Sequence, residues 1–246
     1  MEPQAVGGGV GLRLAIDARY AREAFPGIGR HLDNLLRSLP AVAEPGDELL
    51  ALAPRSPAAG LTGVLSALRP RSLAEQWRLP AQVAATRPDA LLAPYAFTAL
   101  RCPCPRALLV YDDTALDPRH GLRPAWRRLV AEAWLRASAR RSALLLTLSE
   151  SARRALATRF PARAGDLVVT GSAPDPAFAP RSPQQCAQAQ RALGLTSPYF
   201  VHLGMDRPHK NVAALVRALH AAGLPAQGVG LALAGPGQRP RPGDPP

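Results

Sequence analysis

At 246 residues, 47% of them hydrophobic, the chain is long enough for one large or two small domains around a real core. Its net charge of +12 comes almost wholly from arginine in an Ala- and Pro-rich sequence with 5% aromatics and no basic block with interleaved aromatics, which argues against a specific nucleic-acid partner. Three cysteines, Cys102, Cys104 and Cys186, make no disulfide framework, and no second Cys/His pair at metal spacing follows the C-x-C, which argues against structural zinc.

The first ten residues lack a charged start followed by an apolar run, and no stretch reaches the length of a membrane span. The expectation is a soluble cytoplasmic protein with a loose leader at 1–10. Gly11 to Asp17 alternates like a strand. After a loop come Gly27-Ile28-Gly29-Arg30 and a helical pattern with Leu32, Leu35, Leu36 and Leu39 on one face. Glycines at 27 and 29 would let a ligand approach the backbone, although the dinucleotide fingerprint with its third glycine and downstream acid is not met.

Asp47 to Ala53 reads as a strand, 54–72 as loop with a short helix, and Ala74 to Thr86 as a helix. Pro88 to Pro94 and Pro105 to Tyr111 read as strands, the second ending in Asp112-Asp113. A long helix, Arg123 to Arg140, precedes a strand at Ser142 to Leu148, a helix to about Phe160 with Ser149 as its N-cap, and a strand at Asp166 to Thr170. Short strands alternating with helices predict an α/β fold with a parallel sheet covered on both faces.

The proline-rich stretch 174–183 reads as a linker. Beyond it come a helix, Gln184 to Leu193, a strand from Tyr199 to Leu203, a helix, Val212 to Ala222, and a strand, Val229 to Ala234. The expected organisation is therefore an N-terminal domain at 11–173, the linker, a partial second domain at 184–237, and a tail at 238–246 with no packed element. The stretch Pro198 to Asn211 carries the most chemistry. A strand breaks at Gly204, runs through a polar loop holding Arg207, His209 and Lys210, and enters a helix near Asn211. Helix starts favour anions, Arg can grip a phosphate with two parallel bonds, and Lys adds a compact charge. Lys210 is the only lysine in the chain.

In order along the chain, L-R-L-A-I-D-A-R-Y with G-I-G-R-H, A-P-Y, R-C-P-C-P with V-Y-D-D, L-T-L-S-E, G-M-D-R-P-H-K-N and L-A-G-P-G resemble the family-4 retaining glycosyltransferases of the GT-B fold. The resemblance implies a Rossmann-like, acceptor-side N-terminal domain and the start of a second Rossmann-like, donor-binding domain. It implies transfer of a sugar from a GDP- or UDP-sugar, mannosyl among the options, to a glycan or lipid-linked acceptor. A lipid-linked acceptor would bring the protein to a membrane periphery. It also implies roles. Arg207 and Lys210 would hold the donor diphosphate, with Gly27 and Gly29 bordering it or the acceptor. Asp112 and Tyr111 would stand near the reacting sugar. Gly204, His209, Ser149, Glu150 and Tyr95 would line the cleft. No metal or cofactor is required; a cation site at Asp112, Asp113 and Asp117 is the alternative.

Three departures bear on this. Tyr111 stands where the family has histidine, Gly171-Ser172-Ala173 replaces its Asn-Gly, and the chain ends before the family's paired donor-site glutamates. The resemblance is thus to a form shortened in its second domain, and a non-catalytic acceptor- or partner-binding module derived from the same fold is the competing reading. Polyanion binding by overall charge is a third, with steep salt dependence as its mark. An open second sheet would invite pairing with another chain.

Overall fold

A computed structural model describes residues 11–21, 26–53, 60–117, 124–196, 198–204 and 210–235. The chain divides into two compact units, Met1–Asp175 and Pro176–Pro246.

Among the described residues, unit 1 is built on seven parallel strands: β1 (Arg13–Asp17), β2 (Glu48–Ala53), β3 (Thr62–Leu65), β4 (Ala90–Ala93), β5 (Arg106–Leu109), β6 (Leu144–Thr147) and β7 (Leu167–Val169). Their spatial order is β3-β2-β1-β4-β5-β6-β7. The chain works outward from β1 in one direction, then returns and works outward in the other. The order therefore reverses between β1 and β4, where ligands of open α/β sheets bind, beyond the carboxyl ends of the strands.

The helices are α1 (Pro26–Ser38), α2 (Glu75–Thr86), α3 (Ala125–Arg140) and α4 (Glu150–Arg159). Alternation along β1 sends Ala15 to one face and Ile16 to the other. Ala15 packs with Leu50, Leu52 and Leu91 against Leu79 and Val83 of α2. Ile16 joins Ala51, Ala53 and Leu92 against Leu32 and Leu36 of α1. Further along the sheet, Ala93, Leu108 and Leu145 meet Ala131 and Leu135 of α3 and Leu156 of α4. Central strands buried on both sides explain the near-continuous apolar runs L-L-A-L-A and A-L-L-A.

Two sequence expectations change. Within 54–72 the structure has a strand, β3, where loop and a short helix were expected. Its sequence is T-G-V-L and it is mostly exposed at the sheet edge, so no apolar alternation marks it. Gly27 and Gly29 are not a loop but the first turn of α1, which Pro26 opens in the position where a missing N–H costs nothing.

Unit 2 contains α5 (Pro183–Ala192), β8 (Tyr199–Leu203), α6 (Val212–Ala221) and β9 (Gly230–Ala234), with β8 and β9 paired in parallel. A capping box starts α5: the Ser182 hydroxyl accepts from the Gln185 N–H, and the Gln185 side chain accepts from the Ser182 N–H. Phe200, Val201 and Leu203 of β8 are exposed.

Candidate functional site

Parallel strands put every carboxyl end on one edge of the sheet. Tyr20 follows β1, Tyr95 follows β4, Tyr111 and Asp112 follow β5, and Ser149 and Glu150 follow β6. Tyr95, Tyr111, Asp112, Ser149 and Glu150, expected at the cleft from separate motifs, therefore gather along the carboxyl edge of unit 1, joined there by Tyr20.

The floor of this edge is a buried ionic cluster. Arg19 donates to both oxygens of Asp17 at 2.7 Å and to Glu75 Oε1 at 2.6 Å. The three side chains are 0–1% exposed. Burial pulls the Arg19 pKa down, but the two carboxylates outweigh it and the guanidinium stays charged. Burial pushes Glu75 up, against the pull of Arg19. Glu75 Oε2 also accepts the Arg71 N–H at 2.5 Å, and that bond holds Arg71 in a left-handed conformation, φ 61°. One buried carboxylate thus ties β1 to the loop before α2 and sets the direction of Arg71.

Aromatic rings lie above this floor. Tyr20 and Tyr95 have centroids 4.8 Å apart, and Tyr95 meets Phe97 at 5.4 Å. The Tyr20 hydroxyl donates to the Phe97 carbonyl at 3.3 Å. Burial raises the Tyr95 phenol pKa; Arg71 works against it and Asp112 adds to it. Arg71, Tyr95 and Asp112 therefore share one electrostatic neighbourhood.

Tyr111 is half-buried and meets His31 of α1 edge to face at 5.5 Å. Its hydroxyl is a buried polar atom with no hydrogen-bond partner among the described residues. Burial raises the Tyr111 phenol and lowers the His31 imidazole, so both rings are neutral at pH 7. Tyr111 can donate or accept a hydrogen bond there but cannot carry a proton off. Asp112 is exposed, and its Oδ1 accepts the Thr114 N–H at 3.0 Å.

Other expected site residues have structural occupations. The Ser149 hydroxyl caps α4, accepting the Ala152 N–H at 3.1 Å. Glu150 is paired with Arg153 of the same helix, which holds its carboxyl below the usual range. Asp113 pairs with Arg159 at 2.8 Å. Among the described residues no group of three or more His, Cys, Asp and Glu could hold a metal, and no helix is long and apolar enough to cross a membrane.

In unit 2, Gly204 ends β8 and Gly235 ends β9, with φ of 146° and 148°. Gly204 donates to the Ala234 carbonyl at 2.9 Å, and a Cβ placed on Gly235 would lie 2.0 Å from the Gly204 carbonyl oxygen. Both motif glycines are therefore needed at the ends of the two strands. Lys210 is exposed, and Asn211 caps α6 with φ 51°; its side chain makes no cap bond, while its carbonyl accepts the Ala214 N–H at 3.0 Å. Arg207 and His209 lie outside the described residues.

Arg19, Glu75, Arg71 and His31 were not singled out individually in the sequence. Arg19 and His31 lie inside recognised motifs; Glu75 and Arg71 carry no local signal, since Glu75 meets Arg19 across 56 positions.

A seven-stranded parallel sheet of this order, followed by a second unit with a parallel strand pair, is a GT-B-like, Rossmann-like α/β fold. Among solved structures, the chain is similar to Anabaena Alr3699/HepE in complex with UDP and glucose, with TM-score 0.63 and 18% identity over 90% of this chain and 60% of that one. The same protein in complex with UDP-glucose matches with TM-score 0.63 and 17% identity over the same shares. The chain thus spans 60% of the length of these neighbours. No family model matches the chain, and no characterised protein matches it in sequence.

Proposed function

We propose that this chain belongs to a nucleotide-sugar-dependent glycosyltransferase, with unit 1 on the acceptor side and unit 2 carrying the donor loop. The observation that carries the reading is the gathering of Tyr95, Tyr111, Asp112, Ser149 and Glu150 on the carboxyl edge of one parallel sheet, while Gly204 and Lys210 follow a strand of the second.

The chemistry follows the charges. Lys210, joined by Arg207, would neutralise the donor diphosphate as it leaves, a preorganised electrostatic role. The start of α6, which has no side-chain cap, suits the same anion. The Tyr111 hydroxyl, buried and without a hydrogen-bond partner among the described residues, offers a hydrogen bond to a sugar hydroxyl, with Asp112 beside it in sequence. Transfer proceeds with retention from a GDP- or UDP-sugar to a glycan or lipid-linked acceptor. For a lipid-linked acceptor, exposed Trp126, Leu129 and Val130 on α3 beside Arg127 and Arg128 would meet an anionic bilayer surface.

A second reading, a non-catalytic acceptor- or partner-binding module, is favoured by the internal commitment of Ser149 to capping and of Glu150 to Arg153.

Calorimetric titration with UDP, GDP, UDP-glucose and GDP-mannose, on the native chain and on an Arg207→Ala/Lys210→Ala variant, separates these. Charge-assisted hydrogen bonds worth about 1.5–3 kcal/mol each predict at least a tenfold loss of nucleotide affinity in the variant. Binding that is equal for tripolyphosphate and erased by salt, or unchanged in the variant, would remove the donor site; binding of an acceptor glycan alone would leave the second reading.

A further inference from the structure

At the opposite edge of the sheet, the chain enters β5 through Arg101-Cys102-Pro103-Cys104-Pro105. The two sulfurs are 3.8 Å apart, both side chains are half-buried against the Leu79–Val83–Leu91–Ala99 cluster, and the two prolines between and after them are exposed. Buried thiols are commonly just small apolar fillers. This pair differs because the segment that carries it is pinned at both ends. Arg106, 1% exposed, donates to the Ala99 carbonyl at 2.5 Å, to the Ser138 carbonyl at 3.0 Å and to the Ser142 hydroxyl at 3.1 Å. One side chain thus clamps the segment's start at Ala99 and its end at β5 onto α3, with two prolines stiffening what lies between. The sulfurs cannot drift apart, and a disulfide needs them to close by roughly 1.8 Å, within reach of side-chain rotation.

We propose that Cys102 and Cys104 form a reversible dithiol–disulfide couple that exchanges with small disulfides such as oxidised glutathione. In the first step the Cys102 thiolate attacks one glutathione sulfur, breaking its S–S bond and releasing one glutathione thiolate. In the second, Cys104 gives up its proton and attacks the Cys102 sulfur, expelling the second glutathione. Two protein S–H bonds are lost, one protein S–S bond forms, and the two electrons reduce glutathione disulfide to two thiols. Burial, with Cys102 alongside, pushes the Cys104 thiol up, so the step that needs its thiolate quickens with rising pH. Cys186, exposed in unit 2, lies outside the clamp and serves as an internal comparison.

The test uses the full chain carrying Cys186→Ser, equilibrated in glutathione buffers of graded ratio, quenched by acid and alkylated. Trypsin releases residues 102–106, which hold both cysteines. The expected result is loss of two hydrogens from this peptide without alkylation, reversed by reduced glutathione, and a trapped single glutathionyl group on Cys102 in a Cys104→Ser variant. The clamp predicts that the folded chain oxidises at an about tenfold lower ratio of oxidised to reduced glutathione than the chain in urea, a difference of about 30 mV. Free thiols at every ratio, two glutathionyl groups on the peptide, bonds between chains, or equal ratios for folded and unfolded chain would each overturn the proposal.

Discussion

Replacing Arg19 with methionine tests whether the floor of the candidate site is held by charge. The substitution keeps much of the apolar stem but leaves Asp17 and Glu75, both fully buried, without a cation. Breaking a buried pair by removing one partner costs about 3–5 kcal/mol. For a unit of this size, at about 2–4 °C per kcal/mol, the melting temperature should fall by roughly 6–20 °C. The loss should also depend on pH. Burial already holds the Glu75 carboxyl above its ordinary value, and Arg19 is the group that pulls it down. Without Arg19 its folded pKa rises further above the unfolded one. A raised carboxyl contributes stability that is intact below the unfolded pKa and lost as pH rises through the folded one. The variant's deficit against the native chain should therefore shrink when urea unfolding is moved from about pH 7.5 to about pH 5, toward the unfolded carboxyl pKa of about 4.3. A deficit below about 1 kcal/mol, or one independent of pH, would refute the idea that an uncompensated buried charge is the cause. Glu75→Gln, which leaves Arg19 on Asp17, should cost less, about 1.5–3 kcal/mol.

Other consequences can be checked by equally direct means. His31 has a lowered pKa from burial, so native stability should fall as pH drops from about 6.5 through its folded value, and His31→Gln should flatten that slope in pH-dependent unfolding. Gly235→Ala, with its Cβ against the Gly204 carbonyl, should speed amide exchange of β8 and β9 while the unfolding of unit 1 stays unchanged. Ser149→Ala should lower the stability of α4 by about 1 kcal/mol by thermal melting. If nucleotide affinity falls as well, the hydroxyl serves the ligand besides the helix.

The strands and helices around the core were legible because their signals are local. The L-L-A-L-A run of β2 and the L-R-L-A-I-D of β1 are apolar enough to read directly, and Ser149 announces its helix by type alone. Thr62–Leu65 was invisible: an edge strand with a glycine and an exposed leucine carries neither alternation nor a buried run. The glycines at 27 and 29 suggested a loop, but tertiary packing of Leu32 and Leu36 extends the helix back through them. At the site, motif order singled out Tyr95, Tyr111 and Asp112, and the strand order sets all three on one edge of the sheet. Motif order could not supply the Arg19–Glu75 contact or the edge-to-face Tyr111–His31 contact, because both join distant positions and follow only from the fold. Arg106 is the clearest case. A charged residue at the start of a strand reads as solvent-facing, yet three oxygen acceptors turn it inward with no carboxylate among them.

The placement of β1 has a consequence for synthesis on the ribosome. Among the described strands, β1 emerges before its neighbours and is a middle strand, with β2 on one side and β4 on the other. Its Leu14–Ile16 edge finds no partner until Ala90–Leu92 has been translated, so a nascent chain carries an open, apolar strand edge for dozens of residues. Parallel pairings of such sequence separation are slow to close. Ribosome-stalled chains ending before residue 90 should therefore be the aggregation-prone and chaperone-bound ones, and those extending past it should begin to resist protease.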